Sequence, residues 1–137
     1  MEKANGAQNE VEEKRCLLVE DSKKAKPEYE EFLKHLEYSI RATNNKEEAL
    51  KILDEWSPHV LLVHFTQDIP RSISLIQEAY EKDSTVSIIY ATAYHDNEVF
   101  VNAMNSGAFW VLKKPFLSIE LETILNRAFK ESVQKKN

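Results

Sequence analysis

The sequence contains 137 residues, of which 42% are hydrophobic, and this is enough apolar material for one compact domain with a single core. A formal net charge of −5 argues against a nucleic-acid partner, because nucleic-acid binding needs clustered Lys and Arg on a basic background. No segment reaches the roughly 18 consecutive apolar residues of a membrane span, and the N-terminus lacks the apolar core of a secretory signal, so we expect no membrane partner. The single cysteine, Cys16, lies in an apolar run and is expected to pack as a small hydrophobe in a reducing cytoplasm.

Taken in chain order, the sequence opens with a polar stretch, residues 1–14, which we expect to be a flexible tail. Short apolar runs then alternate with amphipathic stretches, which is typical of repeated strand-helix units and a parallel sheet. The five predicted strands are Cys16–Val19, Tyr38–Ala42, Val60–Phe65, Val86–Ala91 and Trp110–Leu112.

Five amphipathic segments, one after each strand, predict five helices. Asn45 with Glu48 is expected to cap the second helix, Asp96 or Asn97 to cap the fourth, and Gly107 to end the fourth. Ser118 is expected to start the last helix. The predicted inner faces are Ala25, Tyr29, Phe32, Leu33 and Leu36; Ala49, Leu50, Leu53 and Trp56; Ile73, Ile76, Ala79 and Tyr80; Val99, Phe100, Ala103 and Met104; and Leu121, Ile124, Leu125, Ala128 and Phe129.

Polar residues follow three of the predicted strands, at the edge where a doubly wound sheet places its binding groups. Glu20 and Asp21 follow the first strand, Thr92 follows the fourth and Lys114 follows the fifth. Two carboxylates, a hydroxyl and a lysine at one edge could hold a hard cation and a phosphate-like group.

Three motifs in this order and spacing resemble the receiver domain of two-component response regulators: VEDS at 19–22, ATAY at 91–94 and GAFWVLKKPF at 107–116. The resemblance covers about Arg15 to Val133. It implies an α/β, flavodoxin-like fold with a five-stranded parallel sheet in strand order 2-1-3-4-5 and five flanking helices. We therefore expect one receiver-like domain over residues 15–134, with a C-terminal tail at 135–137.

Matched motif by motif, the resemblance assigns roles at the predicted edge. Glu20 and Asp21 fall on the acidic pair that holds magnesium, Thr92 on the hydroxyl that contacts the phosphoryl group, and Lys114 on the lysine that pairs with it. The bond between Lys114 and Pro115 matches one that is typically cis in the family.

The third strand departs from the family pattern, in which Pro-Asp and four apolar residues lead to the aspartate that accepts the phosphoryl group. Here Pro58 and the residues after it lead to His64. In a second register, Ile69-Pro70 resembles the Met-Pro that follows the aspartate, and Thr66 takes the acceptor position. Neither register supplies a carboxylate, and the nearest acid, Asp68, belongs to the loop.

This departure predicts a degenerate, or pseudo-receiver, module that is not an enzyme. Loss of one of three anionic groups should weaken magnesium binding by about 1–3 kcal/mol, so no cofactor is required and Mg²⁺ binding is expected to be weak. A protonated His64 could instead pair with Glu20 or Asp21 and replace the cation. The Tyr or Phe that the family carries three residues before its lysine is Val111 here, so the usual aromatic switch is missing.

The favoured function is a signalling module of a two-component phosphorelay that acts by protein contact without aspartyl phosphorylation. One alternative is phosphotransfer through His64 or Thr66. A second is a metal-dependent enzyme on a flavodoxin-like sheet, which the acidic pair disfavours because it has the wrong charge for a phosphate cradle.

The expected partner is a kinase, a downstream regulator or a second copy of the chain. It would dock on the face formed by the fourth helix, fifth strand and fifth helix, with Phe109 and Trp110 as candidate anchors. The three remaining histidines are expected at the surface or at strand edges without a specific role: His35, His59 and His95.

Overall fold

A computed structural model describes residues 13–20, 29–64 and 68–137, which form strands and helices in strict alternation. The strands are β1 (Lys14–Glu20), β2 (Tyr38–Thr43), β3 (Val60–His64), β4 (Ser87–Thr92) and β5 (Trp110–Lys113). The helices are α1 (Glu30–His35), α2 (Lys46–Trp56), α3 (Ile69–Lys82), α4 (Asn97–Ser106) and α5 (Ser118–Lys136).

The strands form one parallel sheet in the order β2-β1-β3-β4-β5, which confirms the predicted fold class. β3 lies in the centre and each of its residues is buried, in agreement with its uninterrupted apolar run. Because all five strands run the same way, their carboxyl ends meet at one edge of the sheet. None of the helices in the described ranges is long and apolar enough to cross a membrane.

The core has two layers because side chains alternate between the two faces of each strand. In β1, Leu17 and Val19 pack against α2, α3 and α4, whereas Cys16 and Leu18 pack against α1 and α5. Cys16 is fully buried, as predicted, and burial raises the pKa of its thiol to about 12. The thiol is therefore protonated and unreactive in the folded domain at neutral pH.

Side-chain caps begin two of the predicted helices, and a glycine ends one of them. The Asn45 Oδ1 atom accepts a hydrogen bond of 2.9 Å from the Glu48 amide at the start of α2. Asp96 accepts one of 2.9 Å from the Glu98 amide at the start of α4. Gly107 follows the last residue of α4 with φ +121°, a conformation that side-chain-bearing residues rarely adopt.

Three expectations about single positions are wrong. His59 is fully buried, because its Nδ1 atom accepts a hydrogen bond of 3.1 Å from the Arg15 amide and its ring packs edge-on against Phe129. Tyr80 was expected on the inner face of α3 but is 39% exposed. The predicted tail at 135–137 is helical up to Lys136.

Lys136, in the last turn of α5, makes several polar contacts. Its ammonium group donates hydrogen bonds of 2.8 Å to Ser57 Oγ and 2.9 Å to Thr85 Oγ1, and lies 3.8 Å from an Asp83 carboxylate oxygen. Ser57 and Thr85 lie in the loops before β3 and β4. The last turn of α5 therefore holds the amino edge of the sheet.

Replacing Lys136 with methionine is expected to lower the free energy of unfolding by about 1–2 kcal/mol, because two half-buried hydroxyls lose their donor. Urea denaturation measures the change. Lys130→Met, on the exposed side of the same helix, is the matched control and should change stability by less than about 0.5 kcal/mol. Equal stability of the two variants would contradict a role for Lys136 as an anchor.

Candidate functional site

The candidate site lies at the carboxyl edge of the sheet, where β1 and β3 end side by side. Glu20 and His64 are register partners at the ends of these two strands. Glu20 is 8% exposed and His64 is 4% exposed, so a carboxylate and an imidazole are buried next to each other in the sheet. Burial of two polar groups at this edge requires specific polar contacts, because unpaired polar groups are costly in the interior.

The contact that defines the site joins His64 to Lys114, which follows β5. The Lys114 Nζ atom lies 2.8 Å from the His64 Nε2 atom. A lysine ammonium group can only donate, so a hydrogen bond at this distance requires Nε2 to accept, as it does in the neutral ring that carries its proton on Nδ1. An imidazolium has no acceptor to offer Lys114, so the expected pairing of a protonated His64 with Glu20 or Asp21 would need a different arrangement of these side chains and stays a prediction.

One aromatic side chain covers the histidine, and a second packs on the first. The Tyr29 ring meets the imidazole edge-on at a centroid distance of 4.9 Å, and the Phe116 ring stacks on Tyr29 at 6.0 Å. Tyr29 is 5% exposed. Its periodicity predicted a place on the inner face of the first helix; Tyr29 is buried in that core layer but precedes α1 as its N-cap residue. Nothing in its spacing indicated that it would lie over the acceptor position.

The loops after β4 and β5 are tied together beside this contact. Thr92 is buried, and its carbonyl accepts a hydrogen bond of 2.8 Å from the Lys114 amide. The Thr92 hydroxyl accepts one of 3.0 Å from the Tyr94 amide. His95 is exposed, as expected, but its Nε2 atom lies 2.6 Å from the Lys114 carbonyl oxygen. The peptide bond from Lys114 to Pro115 is cis.

The magnesium site that the resemblance implies stays a prediction, because Asp21, one of its two acids, lies outside the described residues. Mg²⁺ prefers oxygen ligands, and here a single carboxylate, that of Glu20, lies beside a neutral imidazole and an ammonium group. Within residues 13–20, 29–64 and 68–137, no group of three or more His, Cys, Asp or Glu side chains is placed to hold a metal ion.

Two predicted site residues, Asp21 and Thr66, lie outside the described residues. Asp68, the nearest acid after β3, caps α3 by accepting a hydrogen bond of 3.0 Å from the Arg71 amide. Asp68 therefore belongs to the start of α3 and not to the end of β3.

The two candidate anchors, Phe109 and Trp110, have different surroundings. Phe109 is half-buried and packs against the core layer of α1 and α5. Trp110 is 40% exposed and meets the Phe100 ring of α4 edge-on at 5.7 Å. Val111 is buried, so the position of the family's aromatic switch is filled by a core side chain. Phe109 is therefore a poor candidate anchor, whereas Trp110 remains available at the surface.

Further large apolar side chains of α4 and of the start of α5 are exposed. Val101 of α4 is 43% exposed, and Leu117 and Ile119 at the start of α5 are 67% and 61% exposed. Exposed large apolar side chains on the elements that form one face are candidates for an interaction surface.

Comparison with known proteins gives a consistent result. Residues 16–126 match the family model described as the response regulator receiver domain. The transcriptional regulatory protein CrdR of Helicobacter pylori (strain ATCC 700392 / 26695) is 33% identical over 121 residues, which cover 87% of this chain and 56% of CrdR. The DNA-binding transcriptional regulator NtrC of Proteus hauseri is 33% identical over 100 residues, which cover 71% of this chain and 21% of NtrC.

The chain thus spans about half of CrdR and about a fifth of NtrC. Among solved structures, the signal receiver domain of a putative LuxO repressor protein from Vibrio parahaemolyticus superposes with a TM-score of 0.77 at 24% identity. That match covers 90% of this chain and 95% of the other, and it shows the same fold.

Proposed function

This chain belongs to the response regulator receiver domain family of two-component signalling, and we propose that it passes on its signal by protein contact without phosphorylation of an aspartate. The observation that carries the proposal is the 2.8 Å contact between Lys114 and His64. By resemblance, this lysine pairs with the phosphoryl group in the family. Here its ammonium group has a partner within the chain itself, at the position where the acceptor would lie.

The chemistry of the acceptor supports the same conclusion. An aspartyl phosphate forms when a carboxylate oxygen attacks phosphorus in line while a metal ion neutralises the developing charge. His64 offers neither the oxygen nor the negative charge. Phosphotransfer to His64 itself would need its Nε2 atom to leave Lys114, because one lone pair cannot both accept this hydrogen bond and attack phosphorus.

The partner is proposed to be a cytoplasmic signalling protein, a kinase or a downstream regulator, or a second copy of the chain. It would dock on the face of α4, β5 and α5. The support for this face is the exposure of Trp110, Val101 and Ile119 on a domain whose net charge of −5 disfavours contact with nucleic acid through this domain.

Incubation with acetyl phosphate and Mg²⁺ is expected to leave the mass of the intact protein unchanged, because no described carboxylate ends β3. The His64→Asp variant, which restores a carboxylate there, is treated in parallel. A phosphoryl adduct on the unmodified protein would overturn the proposal. An acid-labile, base-stable adduct that maps to His64 would favour the phosphotransfer alternative instead.

Trp110→Ala is expected to weaken self-association or partner capture by about 2 kcal/mol, the scale of an aromatic interface anchor, while the circular dichroism spectrum stays the same. Analytical sedimentation measures self-association, and a pull-down with and without phosphodonor measures partner capture. Tyr80→Ala removes an equally exposed aromatic from α3, outside this face, and serves as the control. Association that Trp110→Ala leaves unchanged would rule out Trp110 as an anchor.

A further inference from the structure

We propose that His95 is a positioning residue that holds Lys114 for its contact with His64 and links this contact to helix α4. This inference rests on the proposed function, because it gives the Lys114–His64 contact a means of reaching the α4 surface. Neither the sequence motifs nor the family resemblance assigns a role to His95.

The geometry at Lys114 carries the proposal. A carbonyl oxygen can only accept, so the His95 Nε2 atom, 2.6 Å from the Lys114 oxygen, must carry a proton and donate it. The neutral Nε2–H tautomer and the imidazolium both donate from this atom, so the hydrogen bond does not depend on the charge of the ring. The Lys114 amide in turn donates to the Thr92 carbonyl at 2.8 Å.

Both main-chain polar groups of Lys114 are thus held by the segment that leaves β4. A lysine side chain is long and flexible, and fixing its position costs side-chain entropy. Because these hydrogen bonds restrict the main chain at residue 114, only the side-chain torsions of Lys114 remain to be fixed. They therefore favour the 2.8 Å approach of Nζ to His64.

His95 also lies immediately before Asp96, which caps α4. The Phe100 amide in the first turn of this helix donates to the Asp96 carbonyl at 3.3 Å, and the Phe100 ring contacts Trp110. A continuous set of contacts therefore runs from His64 through Lys114 and His95 to the exposed face. This route needs no aromatic residue at Val111.

Hydrogen exchange and imidazole NMR test this route. In His95→Ala, the amides of Lys114 and Phe100 are expected to exchange about fivefold faster, the factor that corresponds to loss of one hydrogen bond of about 1 kcal/mol. The His64 Nε2 signal is expected to move toward its position in a Lys114→Ala reference. His95→Gln, whose side-chain amide donates from a similar reach, should restore both readouts.

His35→Ala is the matched control, because it removes another exposed histidine, on α1, and should change neither readout. If both readouts of His95→Ala equal those of the unmodified protein, or if His95→Gln behaves like His95→Ala, His95 has no positioning role. If His64 of the unmodified protein is doubly protonated at neutral pH, the Lys114–His64 contact fails, and the proposed function fails with it, whatever His95 does.

Discussion

Gly107→Ala is expected to lower the free energy of unfolding by about 3 kcal/mol, the sum of backbone strain and overpacking of about 1–2 kcal/mol each. Gly107 has a φ of +121°, which an alanine adopts only with strain. A Cβ atom at this position would also lie 2.5 Å from Cγ and 2.6 Å from Cβ of Tyr80. Turning the tyrosine ring about its own axis relieves neither contact, because Cγ lies on that axis and Cβ is bonded to the α3 backbone.

Urea denaturation of a double-mutant cycle separates the two terms. In a Tyr80→Gly background, which removes both Cβ and Cγ at position 80, the cost of Gly107→Ala should fall to about 1–2 kcal/mol, because the overlap is gone and the strain remains. Asn105→Ala, at an exposed position of α4, is the control and should cost little. An equal cost of Gly107→Ala in both backgrounds would show that Tyr80 does not limit this position.

His64→Asp is expected to strengthen Mg²⁺ binding about ten- to a hundredfold, or about 1–3 kcal/mol, because it adds an anionic oxygen ligand beside Glu20. The unmodified protein is expected to bind Mg²⁺ in the millimolar range or more weakly, since a neutral imidazole contributes no charge. Titration followed by the amide signals of Glu20 and Thr92 measures both affinities.

His64→Asn separates charge from size, because its side chain matches aspartate in shape and carries no charge. It should bind Mg²⁺ as weakly as the unmodified protein. Submillimolar binding by the unmodified protein, or equal binding by the Asn and Asp variants, would contradict the argument that the missing anion is decisive.

Most of the fold was predictable from local pattern. The apolar runs predicted the five strands to within two residues at each end, apart from the end of the third, where predicted Phe65 lies outside the described residues. Asn45, Asp96 and Gly107 marked helix boundaries because capping is a short-range interaction. The composition of the carboxyl edge was predictable for the same reason. Residues that directly follow parallel strands must come to one edge.

Positions that depend on distant parts of the chain were not predictable. His59 is buried because its ring accepts a hydrogen bond from Arg15, 44 residues earlier. Lys136, at the end of α5, contacts hydroxyls on two loops that lie 79 and 51 residues away. From sequence alone, such polar residues are predicted to lie at the surface, because no residue near them in the chain indicates a buried hydrogen-bond partner.

The sequence by itself determined that a histidine ends the central strand, and that a lysine and a threonine follow the neighbouring strands of a parallel sheet. Order along the chain and alternation of apolar residues are sufficient for this, because strand direction sets which residues share an edge. Only the tertiary structure decided that Lys114 contacts His64, that Tyr29 covers the ring and that His95 holds the Lys114 carbonyl. The physical reason is that side-chain direction and reach over a few ångströms depend on the packing of whole elements, and this packing is not encoded in the spacing of residues along a single strand.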